Sequence, residues 1–175
     1  MTERVLVAGI GNIFLGDDGF GVEVTRRLAA EPPLPGVRVA DFGIRGVHLA
    51  YELMNGYDTV ILVDATPRGG EPGSLYLIEP DLAELADIAA RQGSDTPLMD
   101  AHEMTPDSVL ALLAALGGEV GRVLVFGCEP ARAEEGIGLS APVSAAVDEA
   151  VRVVGDLAAK ATTTGSNAPA MESEV

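Results

Sequence analysis

Short runs of apolar, β-branched residues alternate along the chain with longer Ala- and Leu-rich segments, the pattern of strands separated by crossover helices. Arg4 to Ala8 reads as a first strand and Gly19 to Ala30 as a helix, stopped by Pro32 and Pro33. Val37 to Asp41 is a second strand. Over Gly46 to Met54, the residues Val47, Ala50, Leu53 and Met54 recur at helical spacing, and Asn55-Gly56 closes the segment. Thr59 to Val63 is apolar throughout, as a central strand covered on both faces should be, and it runs into Asp64. After the turn cluster Thr66 to Gly73, Ser74 to Ile78 reads as a less buried strand, suited to an antiparallel edge. Asp81 to Arg91 is helical in pattern and Gln92 to Pro97 a loop. Thr105-Pro106 then opens a helix with an N-cap and a proline in its first turn. Arg122 to Phe126 is the last strand, followed by the loop GCEPARAEEGIG and a final helix from Ser140 to about Lys160.

These elements predict an α/β fold with three layers: a mostly parallel, twisted sheet of about five strands, helices on both faces and a possible antiparallel edge strand. Residues 1–160 form one such domain on this reading. Residues 161–175, polar and aperiodic, read as a disordered tail. Ligands on such sheets bind beyond the carboxyl ends of the strands. Here those ends are the loop from Gly9 to Asp18, the turn Asp41-Phe42-Gly43, Asp64, and the loop from Gly127 to Pro130.

Composition narrows the partners. The chain of 175 residues carries 27 acidic against 11 basic residues, a formal charge of −16, which opposes docking on nucleic acid or an anionic membrane and favours cations or cationic partners. A single cysteine, Cys128, excludes an internal disulfide framework, and no apolar run is long enough to span a bilayer. With no signal segment at MTERVLVAGI, the expected setting is cytoplasmic.

The glycine-rich loop GIGNIFLGDDGFGV raises the question of what it holds. A dinucleotide fingerprint would place its third glycine where Phe14 stands, and no Gly-Lys-Ser/Thr step of a P-loop occurs. Two carboxylates, Asp17 and Asp18, repel phosphate in any case. Helix capping accounts for one of the pair and leaves the other for the cleft. Asp64 ends an apolar strand, so it either caps the turn Ala65-Thr66-Pro67 or meets a partner or metal. Asp41 has the same two readings, with support of the Gly43 turn the stronger. His48 falls off the Val47/Ala50/Met54 stripe and reads as exposed and without a role, whereas His102 lies in the irregular stretch Asp100-Ala101-His102-Glu103. Asp18, Asp64 and His102 could together form a two-oxygen, one-nitrogen site for a divalent cation such as Ni²⁺ or Zn²⁺. Glu103, Asp100 and Glu129 are substitutes in that set, and Cys128 reads as an ordinary small buried residue. No G-x-S-x-G elbow is present, so a hydrolase of this kind would rely on metal-directed water.

The segment from Gly9 to Val22 closely resembles the opening of the hydrogenase maturation proteases, endopeptidases that trim the C-terminus of nickel-iron hydrogenase large subunits. Asp41-Phe42-Gly43-Ile44-Arg45-Gly46, Val60 to Ala65, Asp100-Ala101-His102, and Gly127-Cys128-Glu129-Pro130 leading to Gly138-Leu139-Ser140 agree with it in order and spacing. The resemblance covers about residues 4 to 155. It implies that Asp18, Asp64 and His102 read a nickel ion already placed in the precursor, so that nickel arrives with the substrate and not as a resident cofactor. It also implies that Asp41, Gly43 and Gly46 approach the substrate backbone. The general base stays unassigned, with Glu103 and Glu129 as candidates. The alternatives are a nickel- or precursor-binding chaperone without proteolysis, and a small nucleotide-binding protein.

Overall fold

The computed structural model describes residues 4–92 and 105–163, apart from the side chains of 88, 89 and 92. In chain order the elements are β1 (Val5–Ile10), a 3-10 turn (Gly16–Gly19), α1 (Phe20–Ala30), β2 (Val37–Gly43), α2 (Gly46–Leu53), β3 (Thr59–Ala65) and β4 (Leu75–Ile78). They are followed by α3 (Leu82–Gln92), α4 (Pro106–Ala115), β5 (Arg122–Cys128) and α5 (Ala141–Thr163). The five strands form one sheet in the order β2-β1-β3-β5-β4, parallel except for β4, which runs antiparallel along β5 at the edge. That is the architecture the hydrophobic pattern predicts.

Alternation along each strand sorts the side chains into two cores. Val5, Val7, Ile61, Val63, Leu124 and Phe126 face α1 and α5, meeting Phe20, Val24, Val143, Val147 and Val154. Leu6, Ala8, Ile10, Val60, Leu62, Val123 and Val125 face α2 and α4, meeting Leu49, Leu53, Val109, Leu110 and Leu113. Both faces of the central strands are therefore sealed, and ligands on such a sheet are expected beyond its strand ends.

Several element ends differ from the sequence reading, and pairing is the reason. β1 continues through Gly9 and Ile10, β3 through Asp64 to Ala65, and β5 through Gly127 to Cys128. Asp64 lies opposite Gly127 and Ala65 opposite Cys128. A parallel neighbour holds the backbone extended through residues whose own preference is to break a strand. β2 likewise runs to Gly43, with a register shift in its pairing to β1 as Gly9 meets Asp41 and Ile10 meets Gly43. In α2 the inward face is Gly46, Leu49, Ala50 and Leu53. Val47 and Met54, part of the stripe read from the sequence, are exposed. Thr105 caps α4 as expected, its hydroxyl accepting from the Ser108 N–H while the Ser108 hydroxyl accepts from the Thr105 N–H. α5 extends to Thr163, past the expected boundary at 160, and the rest of the segment expected as a tail lies outside the described residues.

Candidate functional site

The carboxyl ends of β1 and β3 lie side by side, and the loop after β1 folds back over both. Gly11 makes that fold possible. Its φ is +128°, and a Cβ there would stand 1.9 Å from the Asp18 carbonyl oxygen and 3.6 Å from Asp64 Oδ1, a space that only glycine leaves open. The backbone N–H of Gly11 donates to the Gly43 carbonyl at 3.0 Å, tying the end of β2 to the same place. Arg45 reinforces the β2 turn, its guanidinium donating to the carbonyls of Asp41 at 2.7 Å and Phe42 at 3.2 Å. The Asp41 side chain faces Arg26 across 3.7 Å, and Gly46 is buried in the first turn of α2. Of Asp41, Gly43 and Gly46, Gly43 is the one bonded directly to the loop that carries Asp18.

Asp18 and Asp64 are the two acids that face each other. Asp18 Oδ2 accepts from the Asn12 N–H at 2.7 Å, which closes the glycine-rich loop on itself. Asp64 is 7% exposed, and Oδ1 accepts from the neighbouring Ala65 N–H at 2.8 Å. Burial first, and the negative charge of Asp18 second, push the Asp64 carboxyl well above its ordinary value, with the Ala65 bond opposing them. A buried acid beside a second acid is a place where a cation is welcome. Carboxylate oxygens suit a divalent ion, and an imidazole nitrogen would complete a borderline site. His102 lies outside the described residues, as do Asp100 and Glu103. Among the described residues no group of three or more His, Cys, Asp or Glu is placed to hold a metal ion.

Asp17 does not cap a helix, and neither does Asp18: the 3-10 turn and α1 both begin without a side-chain cap. Asp17 is fully buried and reaches across to the loop after β5. Oδ2 accepts from the N–H groups of Ala131 and Arg132 at 2.8 and 2.9 Å and from the Ser140 hydroxyl at 2.8 Å, while Oδ1 accepts from the Ser140 N–H at 2.7 Å. Burial alone would raise its pKa, but the bonds from Ser140, Arg132 and Ala131 outweigh burial and hold it below the ordinary value.

Glu129, named from the sequence as a possible ligand or base, is already committed. It is 5% exposed and accepts from the N–H groups of Arg68 and Gly69 at 2.7 and 3.0 Å and from the Tyr76 hydroxyl at 3.2 Å. The Arg68 bond leads in lowering its pKa, with burial opposing it and the Tyr76 and Gly69 bonds adding to it. Its role is to fix the Thr66–Gly73 turn against β5. Cys128 is buried, and burial with the charges of Asp17 and Glu129 pushes its thiol up to about 11, so it is no nucleophile at neutral pH. His48 is exposed, as expected, lying off the observed inward face of Gly46, Leu49, Ala50 and Leu53. The Asp17 clamp was hidden from the sequence, because its partners lie 114 to 123 residues away and are mostly backbone groups.

A family model described as hydrogenase maturation protease matches residues 22–156 of the chain. The hydrogenase expression/formation protein HupD of Rhodobacter capsulatus is 34% identical over 156 residues, covering 86% of this chain and 70% of that protein. The solved structure of a hydrogenase 2 maturation peptidase from a Thaumarchaeota archaeon superposes with a TM-score of 0.67 at 32% identity, covering 89% of this chain and 97% of that one. The hydrogenase maturating endopeptidase HybD from E. coli also superposes with a TM-score of 0.67, at 26% identity over 86% of this chain and 89% of that one.

Proposed function

The chain belongs to the hydrogenase maturation protease family, and from that premise we propose that it removes a C-terminal extension from a nickel-loaded hydrogenase large-subunit precursor, reading the bound nickel through Asp18, Asp64 and His102. The observation that carries the proposal is the pairing of Asp64 with Asp18, two acids brought to the end of a sealed sheet where the ionised form of the buried one is disfavoured until a cation arrives. Nickel is part of the substrate here. A precursor without it would leave the two carboxyl groups without a ligand to grip, so the site acts as a checkpoint on metal insertion.

The chain's own residues offer no activated nucleophile among those described. Cys128 is a buried thiol, and Glu129 is fully engaged by donors. Hydrolysis by water fits this inventory, with the precursor's nickel supplying Lewis-acid polarisation. The loop at Asp41 to Gly46 would hold the substrate backbone beside the two acids. No helix among the described residues is long and apolar enough to cross a membrane, and we assign the reaction to the cytoplasm.

The test is the intact mass of a nickel-loaded precursor and of its nickel-free form, each with and without this protein. Shortening of the nickel-loaded precursor alone is the expected result. Retention of a full-length, nickel-loaded precursor in a stable complex would instead establish a chaperone.

A further inference from the structure

Every residue from Ala131 to Gly138 is exposed, yet the loop is held at both ends and in its middle. Asp17 pins one end through Ala131 and Arg132 and the other through Ser140. The Asp17 N–H returns a bond to the Arg132 carbonyl at 2.9 Å. In the middle, Gly136 donates to the Phe14 carbonyl at 2.9 Å and accepts from the Gly16 N–H at 2.8 Å, forming a short bridge with the glycine-rich loop. Beside this bridge stand Ile137, 81% exposed, and Phe14, 61% exposed. Large apolar side chains held out to solvent on a fixed backbone contribute nothing to the core, but they bind at low entropic cost. Phe14 follows Asn12 by two positions, and the Asn12 N–H is gripped by Asp18, so Phe14 and Asp18 belong to the same closed loop. Glu134 and Glu135, also exposed, outnumber the loop's one basic residue, Arg132.

We propose that the 131–138 loop, together with Phe14, is the surface that selects the precursor, fitted to a segment with an apolar side chain beside basic ones, and that Asp17 is the residue that positions it. The proposal rests on the endopeptidase reading above. Charge decides between occupants: a second copy of this chain also carries −16 and would be repelled by Glu134 and Glu135, whereas a basic segment is attracted.

The test follows cleavage of nickel-loaded precursor by intact mass over a range of precursor concentrations. In the double variant Phe14→Ser/Ile137→Ser, KM should rise about tenfold or more, as removal of an interface anchor does, with melting unchanged and kcat within about twofold. Glu134→Gln/Glu135→Gln should raise KM at low salt, and the gap to the wild type should close as salt increases. Asp17→Asn should raise KM also, and adding it to the double variant should change KM little further, a non-additivity that general loosening of the fold would not produce. An unchanged KM in the double variant beside an active wild type overturns the proposal. So does a wild-type dimer that the double variant abolishes, since the surface would then serve a second copy. If the wild type fails to shorten the precursor, it is the endopeptidase reading that falls. Direct binding of the precursor to wild type and double variant then decides the surface separately, with equal affinities refuting it.

Discussion

The 3-10 turn sends two adjacent acids in different directions, Asp17 into a ring of backbone donors and Asp18 toward Asp64. Their environments predict opposite responses to pH. The unfolded chain releases the Asp64 proton near 3.8, the folded chain only well above that. Between those values the folded state holds more protons, so stability falls as pH rises through the window. At neutral pH, above the unfolded value, the raised pKa of Asp64 weighs against the metal-free fold. Asp64→Asn should therefore melt on the order of a few degrees above the wild type at neutral pH, lose that advantage below the window, and fail to process precursor. Melting curves against pH, with intact-mass assays alongside, check all three outcomes. His102→Ala should abolish processing in the same assay and His48→Ala should leave it unchanged. In the sequence Asp64 stood out as an acid closing an apolar strand, and Asp18 only as one of two adjacent acids in the glycine-rich loop after the first strand. The duty of Asp17 was not legible there, since a carboxylate that accepts from distant backbone N–H groups leaves no pattern in the residues it binds.

Helix α2 shows what periodicity can and cannot settle at the scale of an element. Spacing identified the helix, but over eight residues several apolar stripes fit, and only the sheet decides which faces inward. Leu49 is fully buried and Val47 is exposed. Leu49→Ala should cost about 2–5 kcal/mol, while Val47→Ser should stay within about 0.5 kcal/mol. Urea unfolding of the two variants distinguishes the observed face from the one read from sequence. Helix α1 depends on contact closer still. A Cβ on Gly21 would stand 2.0 Å from the Val63 carbonyl oxygen and 2.5 Å from that of Ile10, so the helix rests on the backbones of β1 and β3. Gly21→Ala should destabilise by about 1–3 kcal/mol, toward the upper end because backbone cannot yield as a side chain can. Unfolding measured against an exposed control, Ala29→Gly, isolates the packing effect. Strand ends escaped the sequence for a related reason: neighbouring strands, not local preference, carry β3 through Asp64 and β5 through Cys128.

Across the whole molecule, the parallel sheet and its two cores were legible from the alternation of runs, and the loop connections over the sheet's end were not. Those connections are acid-sensitive. Asp17 and Glu129 have lowered pKa values, so the stability they contribute is complete above their unfolded values and is lost as pH falls through the lower folded ones. Acidification should free the amides of Ala131, Arg132, Ser140, Arg68 and Gly69 to exchange before those of β1 and β3, an order that hydrogen exchange resolves. Much of the sheet's carboxyl end is thus fastened by side chains that grip peptide groups. Asp17 in particular takes three of its four bonds from backbone N–H groups. Such a clasp is indifferent to the letters between its two ends. Apart from Gly136 and Gly138, whose φ values of +150° and +108° favour glycine, the stretch from 131 to 138 is a cassette whose side chains can be rewritten while the clasp, the sheet and the paired acids stay as they are.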